Sequence, residues 1–579
     1  MRGPAQPFEP GRAPNMVSQF FAQARAKGDA PFLWAKRDGQ WRATTWADAA
    51  RQVASLATGL KALNLAPGDR VLLVAENRPE WGLADLAIMA AGGVTVPAYT
   101  SNTVADHMHV LRDSGAVLAI VSTPRLAEPV HRAAEATACR ALIGMEPLPP
   151  GPLPVHDWAT LIATHQGDPA GVAAASDFSR DDLACLIYTS GTGGAPRGVR
   201  QHHGAILHNV TGAAEIIRRD FVLSDDRLLS LLPLSHAYEH SAGLHLPIGL
   251  GAEIAYAESL EKLAANMEEM CPTVMVVVPR LFEVLRSRIA RGIDKQGRLS
   301  RWLLAQALRL DAKPRLGWHD WPLDRLLERT LRRRVRARFG GRLKALVSGG
   351  APLNPEVGRF FRALGLVILQ GYGQTEAGPI IACNRPSAGI ALDTVGPPLP
   401  HTKVRLAADG EILVRGENVM HGYWNSPDET AKALQDGWLH TGDVGEIDAA
   451  GRIRITDRKK DIIVSDKGEN VSPQRIEGLL TLQPEIAQAM VSGDRRPFLV
   501  ALVVPEPDWA RDQSDVTAAL QAVLDRVNRG LSGPEKVRRL LLADEPFSIE
   551  NGELTPSLKT KRHRLRARYG ERLDALYAR

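Results

Sequence analysis

Short apolar runs alternate with helix-like segments through the first two thirds of the chain. The runs include DRVLLVAEN, GVTVPAYT, AVLAIVS, LACLIYTS, VMVVVP and LKALVSGG. Strands that are apolar at successive positions are typical of parallel sheets, because helices cover both faces of such a sheet. The pattern therefore predicts an α/β fold in which mixed sheets and helices form layers.

The pattern changes after about Asp393. Segments such as TKVRLAADGEILVRG and GRIRITDRKKDIIV alternate apolar and polar residues and contain many turn formers, as antiparallel strands do. We predict a β-rich subdomain here. The charged run DRKKD at 457–461 then marks the end of a large domain, 16–457, and the start of a small α+β domain, 458–579, which contains the strand PFLVALVVP and C-terminal helices.

Length and composition restrict the class of protein. A chain of 579 residues is too long for a single core, and its 44% apolar and 23% charged residues are typical of soluble multidomain proteins. The cysteines are far apart in sequence and show no metal-ligand spacing, which favours a reducing compartment. Residues 1–15 contain prolines and an acid where an export signal needs an apolar run, so we expect a disordered lead-in and a cytoplasmic location.

The most apolar window, residues 81–99, is not expected to cross a membrane. It contains Asp85, two consecutive glycines and Pro97, all of which are costly in a helix that faces lipid. We interpret the window as a buried helix followed by a turn and a strand.

The net charge of +6 is concentrated in two basic segments, which argues against a nucleic-acid-binding surface with interleaved aromatic residues. One segment, KTKRHRLRAR, lies near the C-terminus. In the other, LERTLRRRVRARFGGRL, apolar residues recur every four positions and predict a helix with an arginine-rich outer face. A solvated helix face is the favoured interpretation, and peripheral contact with a membrane surface is the alternative.

The segment YTSGTGGAPRGV, residues 188–199, combines glycines, hydroxyl side chains and one cation after an apolar strand. Backbone N–H groups and hydroxyls in such a loop suit phosphate oxygens. The segment lacks the Gly-Lys-Ser/Thr ending of a P-loop and the third glycine of a dinucleotide-binding fingerprint. Taken alone, it is compatible both with a phosphate-binding loop and with a flexible surface turn.

Several motifs occur together in the order found in the AMP-forming acyl-CoA synthetases. The chain resembles this family from about Gly68 to its end, and VPRLFE (278–283) and LTPSLK are similar to its long-chain fatty acid branch. The motifs are YTSGTGGAPRGV, LPLSHAYEH (232–240), VSGGAPL (347–353), GYGQTE (371–376), WLHTGD (438–443), DRKKDIIV (457–464) and LTPSLKTKR (554–562).

The resemblance implies a reaction. A fatty acid and ATP would give acyl-AMP and pyrophosphate with Mg²⁺ as cofactor, and coenzyme A would then displace AMP to give acyl-CoA. The segment after LPLSHAYEH lacks the aspartate with which amino-acid-activating relatives hold the substrate amine, which implies a plain carboxylic acid. Three alternatives stay open: a fatty acyl-AMP ligase that loads a carrier protein, a medium-chain or aryl acid–CoA ligase, and a non-catalytic lipid or nucleotide binder. The oligomeric state also stays open.

The resemblance assigns residues to the phosphates and the metal. Glu376 would hold Mg²⁺ together with Thr189, and Thr375 would offer its hydroxyl to phosphate or to metal-bound water. Two loop positions depart from the family pattern, since Gly193 replaces the usual threonine and Arg197 the usual lysine. Arginine keeps the charge but changes the donor geometry. The β- and γ-phosphates would be held by Thr189, Ser190, Gly191, Thr192, Gly193, Gly194, Arg197 and Gly198.

The nucleoside is assigned to small residues and to two charged side chains. Asp443 would accept both ribose hydroxyls, and Arg458 would contact the ribose or a phosphate. The adenine ring would lie against a thin wall with an aromatic neighbour, formed by Gly349, Gly350, Ala351, Pro352, Gly371, Tyr372 and Gly373.

The remaining assignments concern the acid and the change between half-reactions. His236 would gate or contact the acyl carboxylate, and Lys559 would bridge this carboxylate and the α-phosphate during adenylation. Lys460 is the hinge position about which the family rotates its small, mobile domain. Gly468 would leave room for the pantetheine arm of coenzyme A. Solvated side chains, or side chains near the coenzyme A phosphates, are expected at Lys561, Arg562 and Arg564.

Overall fold

A computed structural model gives the structure of the chain and describes residues 13–189, 196–222, 225–313, 315–466, 469–555 and 559–578. The chain divides into two compact units. The first comprises Met1–Arg405, Leu413–His440 and Ala449–Ile453, and the second comprises Leu406–Ile412, Thr441–Asp448 and Arg454–Arg579. The sequence-based boundary between 457 and 458 falls in the last of these segments. The second unit also takes two short segments of the region that the sequence assigns to the β-rich subdomain.

Strands and helices are numbered here in chain order. The strands are β1 Pro31–Arg37, β2 Gln40–Thr45, β3 Arg70–Val74, β4 Val94–Pro97, β5 Leu118–Val121, β6 Ala141–Gly144, β7 Val155–Asp157, β8 Leu183–Thr189, β9 Arg197–His202, β10 Arg227–Ser230, β11 Glu253–Tyr256, β12 Val274–Val277, β13 Ala345–Ser348, β14 Ile368–Gly373, β15 Ile380–Cys383, β16 Lys403–Leu406, β17 Glu411–Arg415, β18 Leu434–Gln435, β19 Trp438–Ile447, β20 Ile453–Arg458, β21 Ile463–Val464, β22 Asn470–Val471, β23 Ile486–Ser492, β24 Leu499–Pro505 and β25 Val537–Leu542. The α-helices are α1 Met16–Lys27, α2 Trp46–Ala62, α3 Pro79–Ala90, α4 Val104–Ser114, α5 Pro124–Ala134, α6 Trp158–Thr164, α7 Pro169–Ala175, α8 His203–Asp220, α9 Ala237–Glu239, α10 Leu246–Leu250, α11 Leu263–Met270, α12 Pro279–Lys295, α13 Arg298–Asp311, α14 Trp321–Leu327, α15 Arg333–Arg338, α16 Pro355–Ala363, α17 Pro427–Ala433, α18 Pro473–Leu480, α19 Pro507–Ala510, α20 Val516–Asn528 and α21 Arg562–Ala575. Short 3-10 turns lie at Trp318–Asp320, Thr375–Ala377 and Pro386–Ala388, and π-helical turns lie at His240–His245 and Glu328–Arg332.

One sheet of the first unit has the strand order β7–β6–β5–β3–β4–β8–β9. Neighbouring strands are parallel except β8 and β9, which form an antiparallel hairpin. Alternate residues of β3 are buried on opposite faces, with Val71 and Leu73 in one cluster and Leu72 and Val74 in another. A sheet buried on both faces needs strands that are apolar throughout, which is the pattern found in the sequence.

The other large sheet of the first unit has the order β15–β14–β13–β12–β10–β11–β1–β2. Its central strands are parallel, and β15 and β2 pair antiparallel at the two edges. The sheets are therefore mixed, and the predicted α/β class with layers of mixed sheets and helices is confirmed.

The second unit contains a sheet of order β23–β24–β25, in which β24 is antiparallel to β23 and parallel to β25. Residues of β24 alternate between two cores. Leu499 and Ala501 pack with residues of α18 and α20, whereas Val500 and Leu502 pack with Leu565 and other residues of α21. This arrangement of helices on both faces of a mixed sheet is the predicted α+β tail. Strand β21 pairs with β22 in the same unit.

Residues 403–458 form a separate sheet of order β16–β17–β19–β18, with β20 beside β19.

The apolar window at 81–99 forms most of α3, a turn and β4, and its apolar residues are buried. This confirms the interpretation as buried helix, turn and strand. Pro79 begins α3, where the first turn needs no backbone N–H from it. None of the helices in the described ranges is both long and apolar enough to cross a membrane.

The predicted lead-in, residues 1–15, differs from the structure at its end. Residues 1–12 lie outside the described residues, but Ala13 and Asn15 are buried. The Asn15 side chain caps α1 by accepting a hydrogen bond from the Ser18 N–H at 2.8 Å, and it donates to the carbonyls of Ser176 and Phe178 at 2.9 Å. An N-cap with two further hydrogen bonds is part of the fold, so this end of the segment is not a disordered lead-in.

Candidate active site

Motif segments follow neighbouring parallel strands of the sheet that contains β14. LPLSHAYEH follows β10, VPRLFE follows β12, VSGGAPL continues β13, and GYGQTE continues β14. Because the carboxyl ends of parallel strands meet at one edge of a sheet, these segments lie side by side. The first and the last of these segments, 232–240 and 371–376, are far apart in the sequence, and the sheet brings them together.

Gly373 ends β14 at a position where no side chain fits. A Cβ there would lie 1.9 Å from the carbonyl oxygen of Pro379, so any other residue would displace the backbone. The chain then turns into the short 3-10 turn Thr375–Ala377, which carries Glu376. Gly371 is different, since a Cβ there would make only ordinary contacts, the nearest at 3.7 Å.

Glu376 is connected to Arg197 through Tyr423. The Tyr423 hydroxyl donates to Oε1 of Glu376 at 2.8 Å, and the guanidinium carbon of Arg197 lies 4.4 Å from the centre of the Tyr423 ring. Burial and the nearby Glu376 carboxylate raise the pKa of the Tyr423 phenol well above its usual value, so the phenol stays a donor at neutral pH. A carboxylate and a cation from two distant motifs thus share one aromatic neighbour.

Strand β9 is held against the segment that carries Tyr423. The Trp424 N–H donates to the Gly198 carbonyl at 2.7 Å, and the Arg200 N–H donates to the Gly422 carbonyl at 3.0 Å. Gln201 in β9 also donates through Nε2 to the Thr375 carbonyl at 2.8 Å. These bonds fix the register in which Arg197, at the start of β9, reaches the Tyr423 ring.

Arg197 also forms an ion pair with Glu429 in the first turn of α17. An anion that binds Arg197 would therefore compete with this carboxylate for the guanidinium. Sequence reasoning missed Tyr423 and Glu429. The signal available for Glu429 was weak, since an acid after Ser-Pro is common in the first turn of any helix.

The glycine-rich loop joins β8 to β9. Thr189 is the last residue of β8, is half-buried and lies opposite Arg197 in the ladder. Gly198 lies opposite Tyr188, and a Cβ there would be 3.1 Å from the Tyr188 ring. The other predicted phosphate contacts lie outside the described residues: Ser190, Gly191, Thr192, Gly193 and Gly194.

The segment after β13 presents little side chain. Gly349 is buried against the Tyr238 ring, and a Cβ there would lie 2.8 Å from that ring. Gly350 has φ +82°, which favours glycine, and Gly350, Ala351 and Pro352 are exposed. A flat ring could approach such a surface closely. Tyr372 is buried, so protein covers most of its ring.

His236 is half-buried and caps the short helix α9. Its Nδ1 accepts a hydrogen bond from the Tyr238 N–H at 3.1 Å, which places the proton of the neutral imidazole on Nε2. The tyrosine in turn donates its hydroxyl to the Val347 carbonyl at 2.9 Å. The LPLSHAYEH motif is thereby tied to β13.

The second histidine of that motif has a structural partner. His240 and His245 both approach Oδ2 of Asp85 through Nε2, at 2.9 Å and 3.3 Å, and all three residues are buried. Burial alone would raise the pKa of the Asp85 carboxyl, but the two imidazoles lower it below its usual range. Burial and the neighbouring His240 lower the pKa of His245 to about 4. The acid in the apolar window is thus a buried, hydrogen-bonded anion that anchors the motif.

In the second unit, Asp443 pairs directly with Arg458. The Asp443 carboxylate is buried, and its Oδ1 accepts from Nε of Arg458 at 2.9 Å. The next residue, Lys459, pairs with Asp409 at 2.6 Å and with Glu411 at 2.7 Å. Lys460 is exposed in the turn that follows β20.

Lys559 lies next to an isolated antiparallel bridge between Leu554 and Thr560. Its N–H donates to Oγ1 of Thr555 at 3.0 Å, and its carbonyl accepts from the Thr555 N–H at 2.8 Å. Helix α21 then begins with Arg562, which pairs with Glu477 at 2.6 Å and donates to the Val491 carbonyl. Arg562 is therefore a structural anchor, and the expectation that its side chain is solvated was wrong. The alternative expectation, that it lies near the coenzyme A phosphates, stays a prediction. Gly468 lies outside the described residues.

Comparison with known protein families identifies two matches. Residues 20–424 match the family model described as AMP-binding enzyme, and residues 460–579 match the model described as AMP-binding enzyme C-terminal domain. Together the two matches cover most of the chain.

Curated relatives span the full length. A long-chain-fatty-acid–CoA ligase (FadD15) of Mycobacterium tuberculosis is 32% identical over 99% of this chain and 98% of its own. The human long-chain-fatty-acid–CoA ligase 6 is 30% identical over 98% of this chain and 89% of its own. A long-chain-fatty-acid–[acyl-carrier-protein] ligase of Arabidopsis thaliana is 28% identical over 92% and 82%.

Solved structures share the fold at lower identity. The adenylation domain of a carboxylate reductase from Mycobacterium chelonae has a TM-score of 0.78 and 22% identity over 98% of this chain and 92% of its own. An anthranilate CoA ligase in complex with anthranoyl-AMP has a TM-score of 0.76 and 19% identity over 98% and 99%.

Proposed function

Since the chain belongs to the family of AMP-binding enzymes, we propose that it is an AMP-forming ligase that converts long-chain fatty acids to acyl-CoA. In the first half-reaction a carboxylate oxygen attacks the α-phosphorus of ATP, and the bond to the β-phosphate breaks with release of pyrophosphate. In the second, the sulfur of coenzyme A attacks the acyl carbonyl, its proton is lost, and AMP leaves. Each step transfers a group without oxidation or reduction.

The observation that carries the proposal is the cluster of Glu376, Tyr423 and Arg197. The first half-reaction joins two anions, so it needs fixed donors, a divalent cation and a protein cation. The half-buried Glu376 carboxylate and the hydroxyls of Thr375 and Thr189 are hard oxygen donors of the kind that Mg²⁺ prefers. Magnesium would neutralise phosphate charge there, and Arg197 would add the guanidinium that lies over the Tyr423 ring.

The proposed roles of the other residues come from the family resemblance. The exposed small residues Gly350, Ala351 and Pro352 would bind the adenine, and Asp443 with Arg458 would bind the ribose or a phosphate. Because Asp443 already accepts from Arg458, nucleotide binding would have to share or replace this hydrogen bond. His236 would position the carboxylate of the fatty acid, and the Lys559 cation would reduce the repulsion between this carboxylate and the α-phosphate.

The preference for long acyl chains rests on the curated relatives, whose names specify long-chain fatty acids. The solved structures of similar fold include enzymes for aromatic and other acids, so the fold itself does not select a chain length. One curated relative is named for a carrier protein as acyl acceptor. The acid and the acceptor therefore need separate tests.

Pyrophosphate release from ATP should be measured with acetate, octanoate, palmitate and benzoate, with and without free coenzyme A. We expect the highest kcat/KM with palmitate, and palmitoyl-CoA as product. A higher value with octanoate or benzoate would reject the long-chain preference but keep the ligase. Formation of palmitoyl-AMP without the thioester would indicate a carrier protein as acceptor. Absence of pyrophosphate release with every acid would reject the proposal that the chain is a ligase.

Arg197→Lys is expected to keep adenylation within about tenfold, whereas Arg197→Ala should raise the KM for ATP and lower the rate. Lysine retains the charge near phosphate, and alanine removes both the charge and the partner of Glu429. Steady-state pyrophosphate release with ATP varied measures both effects, and binding of palmitate alone should stay within about twofold. An inactive wild type that becomes active as Arg197→Lys would identify the chain as a disabled relative.

Lys460→Pro is expected to impair thioester formation at least tenfold more than adenylation. We propose that the backbone at Lys460 changes conformation between the two half-reactions, and proline fixes φ at this position. Lys460→Ala is the matched control, since it removes the same charge but leaves φ free. Single-turnover rates of the two half-reactions give the comparison, and equal rates in the proline variant and wild type would place the hinge elsewhere.

A further inference from the structure

Residues 298–338, here called the basic-aromatic segment, expose large apolar side chains. Trp318 is 85% exposed, Trp321 is 68% exposed and Trp302 is 47% exposed. Tryptophan is usually largely buried, and large apolar residues exposed close together mark interaction surfaces. Most of the exposed large apolar residues in the described ranges lie here, at Leu299, Trp302, Leu308, Leu316, Trp318, Trp321 and Leu326.

The same segment is strongly basic. It contains twelve arginine or lysine residues and four aspartate or glutamate residues, a net charge of +8, whereas the whole chain carries +6. Each of the four acids already forms an ion pair: Asp311 with Arg362, Asp320 with Lys313, Asp324 with Arg332 and Glu328 with Arg336. Exposed arginines that form no ion pair with any described residue are Arg298, Arg301, Arg309, Arg315, Arg325, Arg329, Arg333 and Arg334.

The fold does not need this outer surface. Helix α13 packs inward through Leu303, Ala307 and Leu310, and α14 and α15 pack inward through Leu327 and Val335. These buried residues account for the helical spacing of apolar residues in the sequence. They do not account for the exposed tryptophans, because a tryptophan side chain in water contributes no burial energy to the fold.

We propose that the basic-aromatic segment docks the enzyme on the headgroup layer of an anionic lipid bilayer. Tryptophan side chains favour the boundary between headgroups and acyl chains, and arginines are attracted to the negative surface potential of anionic lipids. Combined apolar and basic side chains on one surface are typical of proteins that lie on a membrane without spanning it.

Vesicle co-sedimentation of the full chain tests the proposal. Phosphatidylcholine vesicles with and without phosphatidylglycerol are compared, at low and high salt and without ATP or acid. We expect at least tenfold tighter binding to the anionic vesicles and marked weakening by salt. Equal binding to both compositions, or none to either, would overturn the proposal, and because no substrate is present this outcome leaves the ligase proposal untouched.

Two variants separate the apolar and basic contributions. Trp318→Ser with Trp321→Ser, and the triple reversal Arg329→Glu, Arg333→Glu and Arg334→Glu, should each weaken binding to anionic vesicles at least tenfold. The matched controls change exposed residues outside the segment, with Val222→Ser and Leu260→Ser in one variant and Arg25→Glu, Lys61→Glu and Arg538→Glu in the other. The controls should bind within about twofold of wild type, and circular dichroism checks that every variant is folded.

Brominated phospholipids supply a second readout. Bromine in the acyl chains should quench part of the tryptophan fluorescence of the wild type, and less in the Trp318→Ser, Trp321→Ser variant. If vesicle binding is the same in both variants and in wild type, another surface carries it and the proposal fails. If size-exclusion chromatography shows concentration-dependent self-association that both variants abolish, without vesicle binding, the surface pairs copies of the chain and the bilayer is rejected.

Discussion

Lys559→Ala is expected to lower acyl-AMP formation by about a hundredfold or more while leaving thioester formation from supplied acyl-AMP within a few-fold of wild type. A lysine between the carboxylate and the α-phosphate would stabilise charge during adenylation, and removal of such a contact typically costs this much. The second half-reaction starts from acyl-AMP, in which these two groups are already joined, so it no longer needs the cation at this position.

The two half-reactions can be measured separately for Lys559. Adenylation is followed as palmitate-dependent pyrophosphate release, and thioester formation as palmitoyl-CoA made from synthetic palmitoyl-AMP. Lys561→Ala is the matched control for adenylation, because it removes a lysine two residues away at the start of α21. Equal loss of both half-reactions would show that Lys559 is not the adenylation cation.

Glu376→Gln is expected to reduce adenylation by about a hundredfold or more and to raise the Mg²⁺ concentration needed for half-maximal rate. Glutamine retains the size of the side chain and can still accept from the Tyr423 hydroxyl, but it lacks the negative charge that attracts a hard cation. The loss should be smaller in Tyr423→Phe, which keeps the carboxylate and removes only its hydrogen bond.

Magnesium titration of pyrophosphate release distinguishes a metal ligand from a structural residue at position 376. A metal ligand should give a rate that recovers in part at high Mg²⁺. A variant that loses activity to the same degree at every Mg²⁺ concentration, or that loses its folded structure, would remove Glu376 from the metal site. Thermal unfolding of Glu376→Gln and Tyr423→Phe provides the check on folding.

The fold class could be predicted from the sequence because its physical cause is local. Strand β3 is apolar at successive positions, Val71 to Val74, since each face of its sheet is covered by a different core. Strand β24 shows the same alternation between two cores in the second unit. The order of the motifs could be found as well, because each motif is a continuous stretch of chain.

The connections between motifs could not be predicted, because they depend on pairing over long separations. Tyr423 joins Glu376 and Arg197 only because β9 forms backbone hydrogen bonds with the segment before α17, more than two hundred residues later. No periodicity or motif marks that pairing. The ion pair of Arg562 with Glu477 escaped prediction for the same reason, since a basic run at a helix start resembles a solvated end.

One alternative left open by the sequence draws its support from the folded chain. The sequence favours a solvated face for the basic helical run, because apolar spacing accounts only for the buried side of a helix. The exposed tryptophans among the adjoining residues 298–326 have no helical period of their own, so nothing in the sequence pattern joins them to the arginines. Exposure, which only the folded chain reveals, is the observation from which we propose membrane contact, and vesicle binding tests it.

The shared oxygen of Asp85 makes three positions dependent on one another. If either His240 or His245 changes alone, a buried anion loses a partner, and if Asp85 changes alone, two buried imidazoles lose theirs. Substitutions among contacting residues of one hydrogen-bond network do not add independently. The three side chains therefore form one unit, and replacing it with an apolar core without leaving a buried polar group unpaired requires all three substitutions together.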